Sequence, residues 1–88
     1  MRISDKKKEK ISEQILAFLY SINPKPVFTS YIAEEIARDD ELVKQLLYGL
    51  KKKGLVLEIR KNPKGKNYVK RLRWMLSDTA YKIYKERQ

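Results

Sequence analysis

Cysteine and histidine are both absent from this 88-residue chain. Without thiols there is no disulfide framework, no thiolate nucleophile and no cysteine metal site. Without imidazole the usual zinc sites disappear as well, together with Ser-His-Asp and Cys-His catalysis. Glycine is scarce, and Gly49, Gly54 and Gly65 are too scattered to form a phosphate-cradling loop. The acidic clusters are Glu34-Glu35 and Asp39-Asp40-Glu41. Adjacent carboxylates on one helix do not converge on a phosphate-sized gap as a two-metal site requires. No enzyme, cofactor or metal is therefore expected. No apolar run approaches the roughly 20 residues that cross a bilayer, and the charged N-terminus has no apolar signal core. The expectation is a cytoplasmic protein.

What the chain does have is positive charge: 21 basic against 11 acidic residues, a net of +10. An excess of this size favours polyanions, nucleic acid before an anionic membrane surface. The plain alternative is a solubilising surface. The length suits a single domain over residues 1–88, with residues 1–5 expected to be disordered. So small a domain leaves little room for an enclosed substrate cavity beside its core. Abundant Lys, Glu, Ile and Tyr fit a thermophilic source, although a lysine-rich mesophile can look similar.

Along the chain, Ser4 or Asp5 can cap a first helix that runs to about Tyr20, with Ile11, Ile15, Phe18 and Ile22 recurring at helical spacing and Leu16 and Leu19 widening the stripe. Asn23-Pro24-Lys25-Pro26 ends it. Val27-Phe28 can form a short strand. Thr29 or Ser30 caps a second helix whose Ile32, Ala33 and Ile36 face inward. Asp39 caps a third, with Asp40 and Glu41 favourably placed at its positive end. Val43, Leu46, Leu47 and Leu50 make its apolar stripe, and Gly54 stands where a left-handed cap is wanted. From Leu55 to Lys61, Leu55, Leu57 and Ile59 alternate with Val56, Glu58 and Arg60, as in a half-buried strand. Asn62 to Asn67 reads as a turn. Tyr68 to Leu76 returns as a strand with Leu72, Trp74 and Leu76 on one face. Ser77 or Asp78 caps a last helix in which Ala80, Ile83 and Tyr84 pack down.

The stretch from Thr29 to Val56 resembles the core of winged helix-turn-helix DNA-binding proteins. Ile32-Ala33 matches that family's turn-preceding pair, Val43 follows Ala33 by ten residues as it does there, and Leu50 with Gly54-Leu55-Val56 matches the helix-to-wing junction. Trp74-Met75-Leu76-Ser77-Asp78 resembles the family's strand-to-helix junction, so the likeness covers Thr29 to Lys85. It implies an α+β fold: a three-helix core, a short strand, a two-stranded β-wing and a C-terminal helix. It also implies double-stranded DNA as partner and the role of a small archaeal-type transcriptional regulator. The chain departs from the pattern at Arg38, where the family usually has an apolar turn residue, and at Asp40 and Glu41, where many members carry Ser, Arg or Thr.

In such a fold the third helix enters the major groove. Its candidate base contacts are Glu41, Lys44, Gln45 and Tyr48: Lys can donate to guanine, Gln can pair with adenine, and Glu can accept from cytosine. The acidic start of that helix points to modest affinity or another docking face. The candidate backbone contacts are Lys51, Lys52, Arg60, Lys61, Lys64, Lys66, Lys70, Arg71 and Arg73. From Lys51 to Arg73 ten basic residues face only Glu58, a local net of +9. Phosphate contacts of this kind set affinity and register rather than sequence preference. The plainer reading is a lysine-rich edge that discourages strand pairing, which one or two charges would achieve. Of the six tyrosines, Tyr20, Tyr31, Tyr81 and Tyr84 read as core or core rim, whereas Tyr48 and Tyr68 are candidate nucleic-acid contacts. Trp74 is expected to anchor the sheet on the first helix. Two competing readings remain: an RNA-binding winged helix using Lys6 to Lys10 and the wing, and a protein-interaction module docking through Asp40 and Glu41. A weak homodimer through the last helix is a further expectation.

Overall fold

Ser4 starts the first helix: its hydroxyl oxygen accepts from the Lys7 amide at 3.2 Å, satisfying one of the unpaired donors at the helix start. The structure, a computed structural model, describes residues 4–59 and 72–87. Within them the chain forms α1 (Asp5–Ile22), β1 (Val27–Phe28), α2 (Thr29–Ile36), α3 (Asp40–Lys52), β2 (Val56–Ile59), β3 (Arg73–Leu76) and α4 (Asp78–Glu86). This is the expected order, and the fold is a winged helix-turn-helix. α1 runs two residues beyond the expected end.

The turn between α2 and α3 is made by Ala37, Arg38 and Asp39. Ala37 takes the left-handed conformation (φ 58°, ψ 50°), and the Arg38 amide reaches back to the Ala33 carbonyl at 2.9 Å. Arg38 is exposed, as suits a charged residue at that turn. Asp39 then caps α3, its Oδ2 accepting from the amides of Glu41 and Leu42 at 3.1 and 3.2 Å. At the other end Gly54 is left-handed (φ +76°), and the Leu55 amide closes on the Leu50 carbonyl at 3.0 Å. Glycine adopts that conformation without the Cβ clash that other residues meet.

The three strands form one antiparallel sheet in the order β1-β3-β2, with Val27 opposite Trp74 and Val56 opposite Leu76. One sheet face closes over the helices. The core joins Ile11, Ile15 and Leu19 of α1, Ile32 and Ala33 of α2, Val43, Leu47 and Leu50 of α3, and Val56, Trp74 and Leu76 of the sheet. Val27, Leu72 and Ala80 complete it. Trp74 is fully buried, and its indole Nε1 donates to Thr29 Oγ1 at 2.8 Å. The tryptophan thus ties the sheet to α2 through this bond and to α3 through the Tyr48 ring.

Three expectations are corrected. The α2 cap position is Phe28, which supplies no side-chain cap; Thr29 lies inside the first turn, its hydroxyl engaged by Trp74. In β2 the inward face is Val56 and Glu58, whereas Leu57 points outward at 45% exposure. The pairing to β3 sets this, because Val56 and Glu58 lie opposite the buried Leu76 and Trp74. In α4, Ile83 is exposed, and Tyr81 packs inward beside Ala80 and Tyr84, its ring 5.4 Å from that of Tyr20.

Candidate nucleic-acid interface

Thirteen residues make α3, and its apolar stripe is spent on the core, so its other side must meet solvent. The four candidate base contacts Glu41, Lys44, Gln45 and Tyr48 all lie on that exposed side, with Lys51 and Lys52 one turn further on. The side chains differ in what already holds them. Glu41 and Lys44 pair at 3.6 Å, both well exposed, which is a weak, salt-screened contact. Gln45 stands at the lip of an open cleft of about 640 Å³ between α1 and α3, beside Glu9, Glu13 and Leu46. The Tyr48 ring meets Trp74 edge-on, centroids 5.3 Å apart, so its position is set from behind by the core.

The acidic start of α3 has a local explanation. Asp39 is occupied as the cap, and Glu41 faces Lys44. Carboxylates at a helix start are stabilised by the unpaired amides and the macrodipole there. These groups serve the fold of the helix first, whatever they meet outside it.

Among the candidate backbone contacts, Lys51, Lys52 and Arg73 lie within the described residues. Lys52 is exposed. Lys51 forms an ion pair with Glu58 of β2, Nζ to Oε1 2.6 Å, and its ammonium is 6.0 Å from the Tyr48 ring centroid. Arg73 is separated from this group: its guanidinium lies over the Phe28 ring at 4.9 Å, on the sheet face turned away from the core. Arg60, Lys61, Lys64, Lys66, Lys70 and Arg71 lie outside the described residues, as does Tyr68.

The remaining tyrosines fall at the rim. Tyr20, Tyr81 and Tyr84 form one cluster between α1 and α4, while Tyr31 is 45% exposed, with its ring 5.8 Å from Phe18. Burial raises the Tyr84 phenol above its ordinary value, the Glu13 carboxylate adds to the rise, and Arg87 opposes it. Sequence reasoning missed Glu58 as the partner of Lys51. The available signal was its place on the same strand face as Val56, once that face is taken as the inner one. Among the described residues no group of three or more carboxylates is placed to hold a metal ion, and no helix is long and apolar enough to cross a membrane.

No protein-family model and no curated protein matches the chain. Several solved structures are similar to it in fold. Wild-type ZitR of Lactococcus lactis in complex with DNA matches with a TM-score of 0.63 at 19% identity, over 83% of this chain and 47% of that one. A double mutant of ZitR in its apo form gives 0.63 at 20% identity, over 93% and 59%. A MepR mutant from a multidrug-resistant S. aureus clinical isolate gives 0.64 at 23%, over 93% and 60%. The chain thus spans about half the length of the proteins it matches.

Proposed function

We propose that this chain binds double-stranded DNA as the winged helix-turn-helix of a transcriptional regulator, with α3 in the major groove and the basic hairpin on phosphate or the minor groove. The observation that carries this reading is the exposed side of α3, where Lys44, Gln45, Tyr48 and Lys52 project from a helix whose other side is locked into the core. The net charge of +10 supports it. So does the fold shared with ZitR, which has been solved in complex with DNA. Glu41, Lys44, Gln45 and Tyr48 would meet base edges. Lys52, Arg73 and the six basic residues from Arg60 to Arg71 would track the backbone. In this reading the hairpin supplies most of the grip and α3 the weaker reading.

The test is fluorescence anisotropy on duplex DNA across a salt series, with a matched RNA duplex as competitor. With 6–8 phosphate contacts the log–log slope of affinity against salt is about −5 to −7. A slope near zero, or no binding at low salt, overturns the reading. Clear preference for the RNA duplex replaces it with an A-form partner.

A further inference from the structure

Lys51 and Glu58 meet at the junction of α3 and β2. The ammonium is 2.6 Å from Glu58 Oε1, and the Glu58 side chain is only 8% exposed while that of Lys51 is 46% exposed. Glu58 lies on the inner sheet face, directly opposite the fully buried Trp74. A carboxylate withdrawn that far from water is costly unless a cation compensates it. Lys51 is also held near the Tyr48 ring, and that ring is itself set against Trp74.

A lysine cannot spend the same ammonium twice. Reaching a phosphate would draw Nζ away from a nearly buried carboxylate, so the two uses compete, and the burial of Glu58 favours the internal one. We propose that Glu58 is a positioning residue that keeps Lys51 off the nucleic acid and clamps the foot of the hairpin to α3. Lys51 then contributes to the relative placement of the two DNA-facing elements and not to counterion release. This deepens the DNA reading and rests on it.

The experiment compares wild type, Lys51→Met, Glu58→Gln and the double variant by anisotropy over a salt series. Lys51→Met keeps the wild-type slope. Glu58→Gln frees a lysine for phosphate and steepens the slope by about 0.9, and the double variant returns it to wild type. A slope shallower by about 0.9 in Lys51→Met, or no change in Glu58→Gln, overturns the proposal. A wild type that binds no duplex counts against the DNA reading instead. Urea unfolding of the same four proteins then decides the clamp: the two substitutions are coupled by about threefold or more in the unfolding constant. Independent effects overturn it.

Discussion

Trp74 Nε1 donates to Thr29 Oγ1 at 2.8 Å, joining the central strand to the first turn of α2 across 45 residues of sequence. The hydroxyl accepts the hydrogen bond of an indole that is fully buried. Thr29→Val keeps the shape of the side chain and removes the acceptor. It is expected to cost about 1–3 kcal/mol, the usual penalty for stranding a buried donor. Chemical denaturation followed by Trp74 fluorescence measures this, and an unchanged midpoint would mean that the hydrogen bond adds nothing.

The helix-turn-helix corner carries a second test. Ala37 is left-handed at φ 58° although it bears a Cβ. Ala37→Gly is expected to stabilise by up to about 1 kcal/mol, because glycine adopts that conformation without a steric clash. Gly54→Ala, at φ +76°, is expected to do the reverse by about 1 kcal/mol. Opposite shifts in thermal midpoint confirm the pair, and shifts of the same sign refute it.

Asp39 is tied to the amides of Glu41 and Leu42. Asp39→Ala removes that cap and is expected to cost about 1 kcal/mol. Because the cap orients the start of α3, DNA affinity should fall in parallel although Asp39 carries the wrong charge for phosphate. A gain in affinity would show that its charge outweighs its capping.

Lys52 is exposed at the end of α3, and in the proposed reading it meets phosphate. Lys52→Ala should weaken binding about equally on all duplex sequences and make the salt slope shallower by about 0.9. Loss confined to one sequence would instead identify Lys52 as a base reader.

Tyr84 supplies a pH test. Its phenol is raised above 10.0, by burial first and by Glu13 second. For an acid whose pKa is raised by folding, the stability contributed is fully present below the unfolded value and is lost as pH rises through the folded one. Tyr84→Phe therefore removes part of the alkaline loss of stability. Glu13→Gln lowers the Tyr84 midpoint in a phenolate absorbance titration, and an unmoved midpoint excludes the Glu13 contribution.

Most of the fold was legible because its signals are local. Ser4, Asp39 and Ser77 cap helices through side-chain oxygens bonded two or three residues ahead, and Gly54 ends α3 as its position suggested. What was not legible depended on distant partners. Thr29 had the right chemistry for a cap, but the indole of Trp74 took its hydroxyl. The alternation in β2 revealed the period of the strand without revealing which set faces inward. Leu57 of the all-apolar set points outward, because the pairing to β3 puts Val56 and Glu58 opposite the buried Leu76 and Trp74. The candidate contacts on α3 emerged on its exposed side for a simple reason: its apolar stripe fixes what remains outside. The same pattern could not distinguish a lysine open to a ligand from one already committed to the protein.

The strand order has a consequence for how the molecule is made. Among the described strands β1 and β2 each pair with β3 alone, and β3 is the last of the three to leave the ribosome. Until Trp74 and Leu76 emerge, the helices can pack on one another but have no sheet to close over Ile11, Ile15 and Val43. The nascent domain must therefore carry an open apolar seam until β3 has emerged, and its folding is completed with that strand rather than as each helix appears.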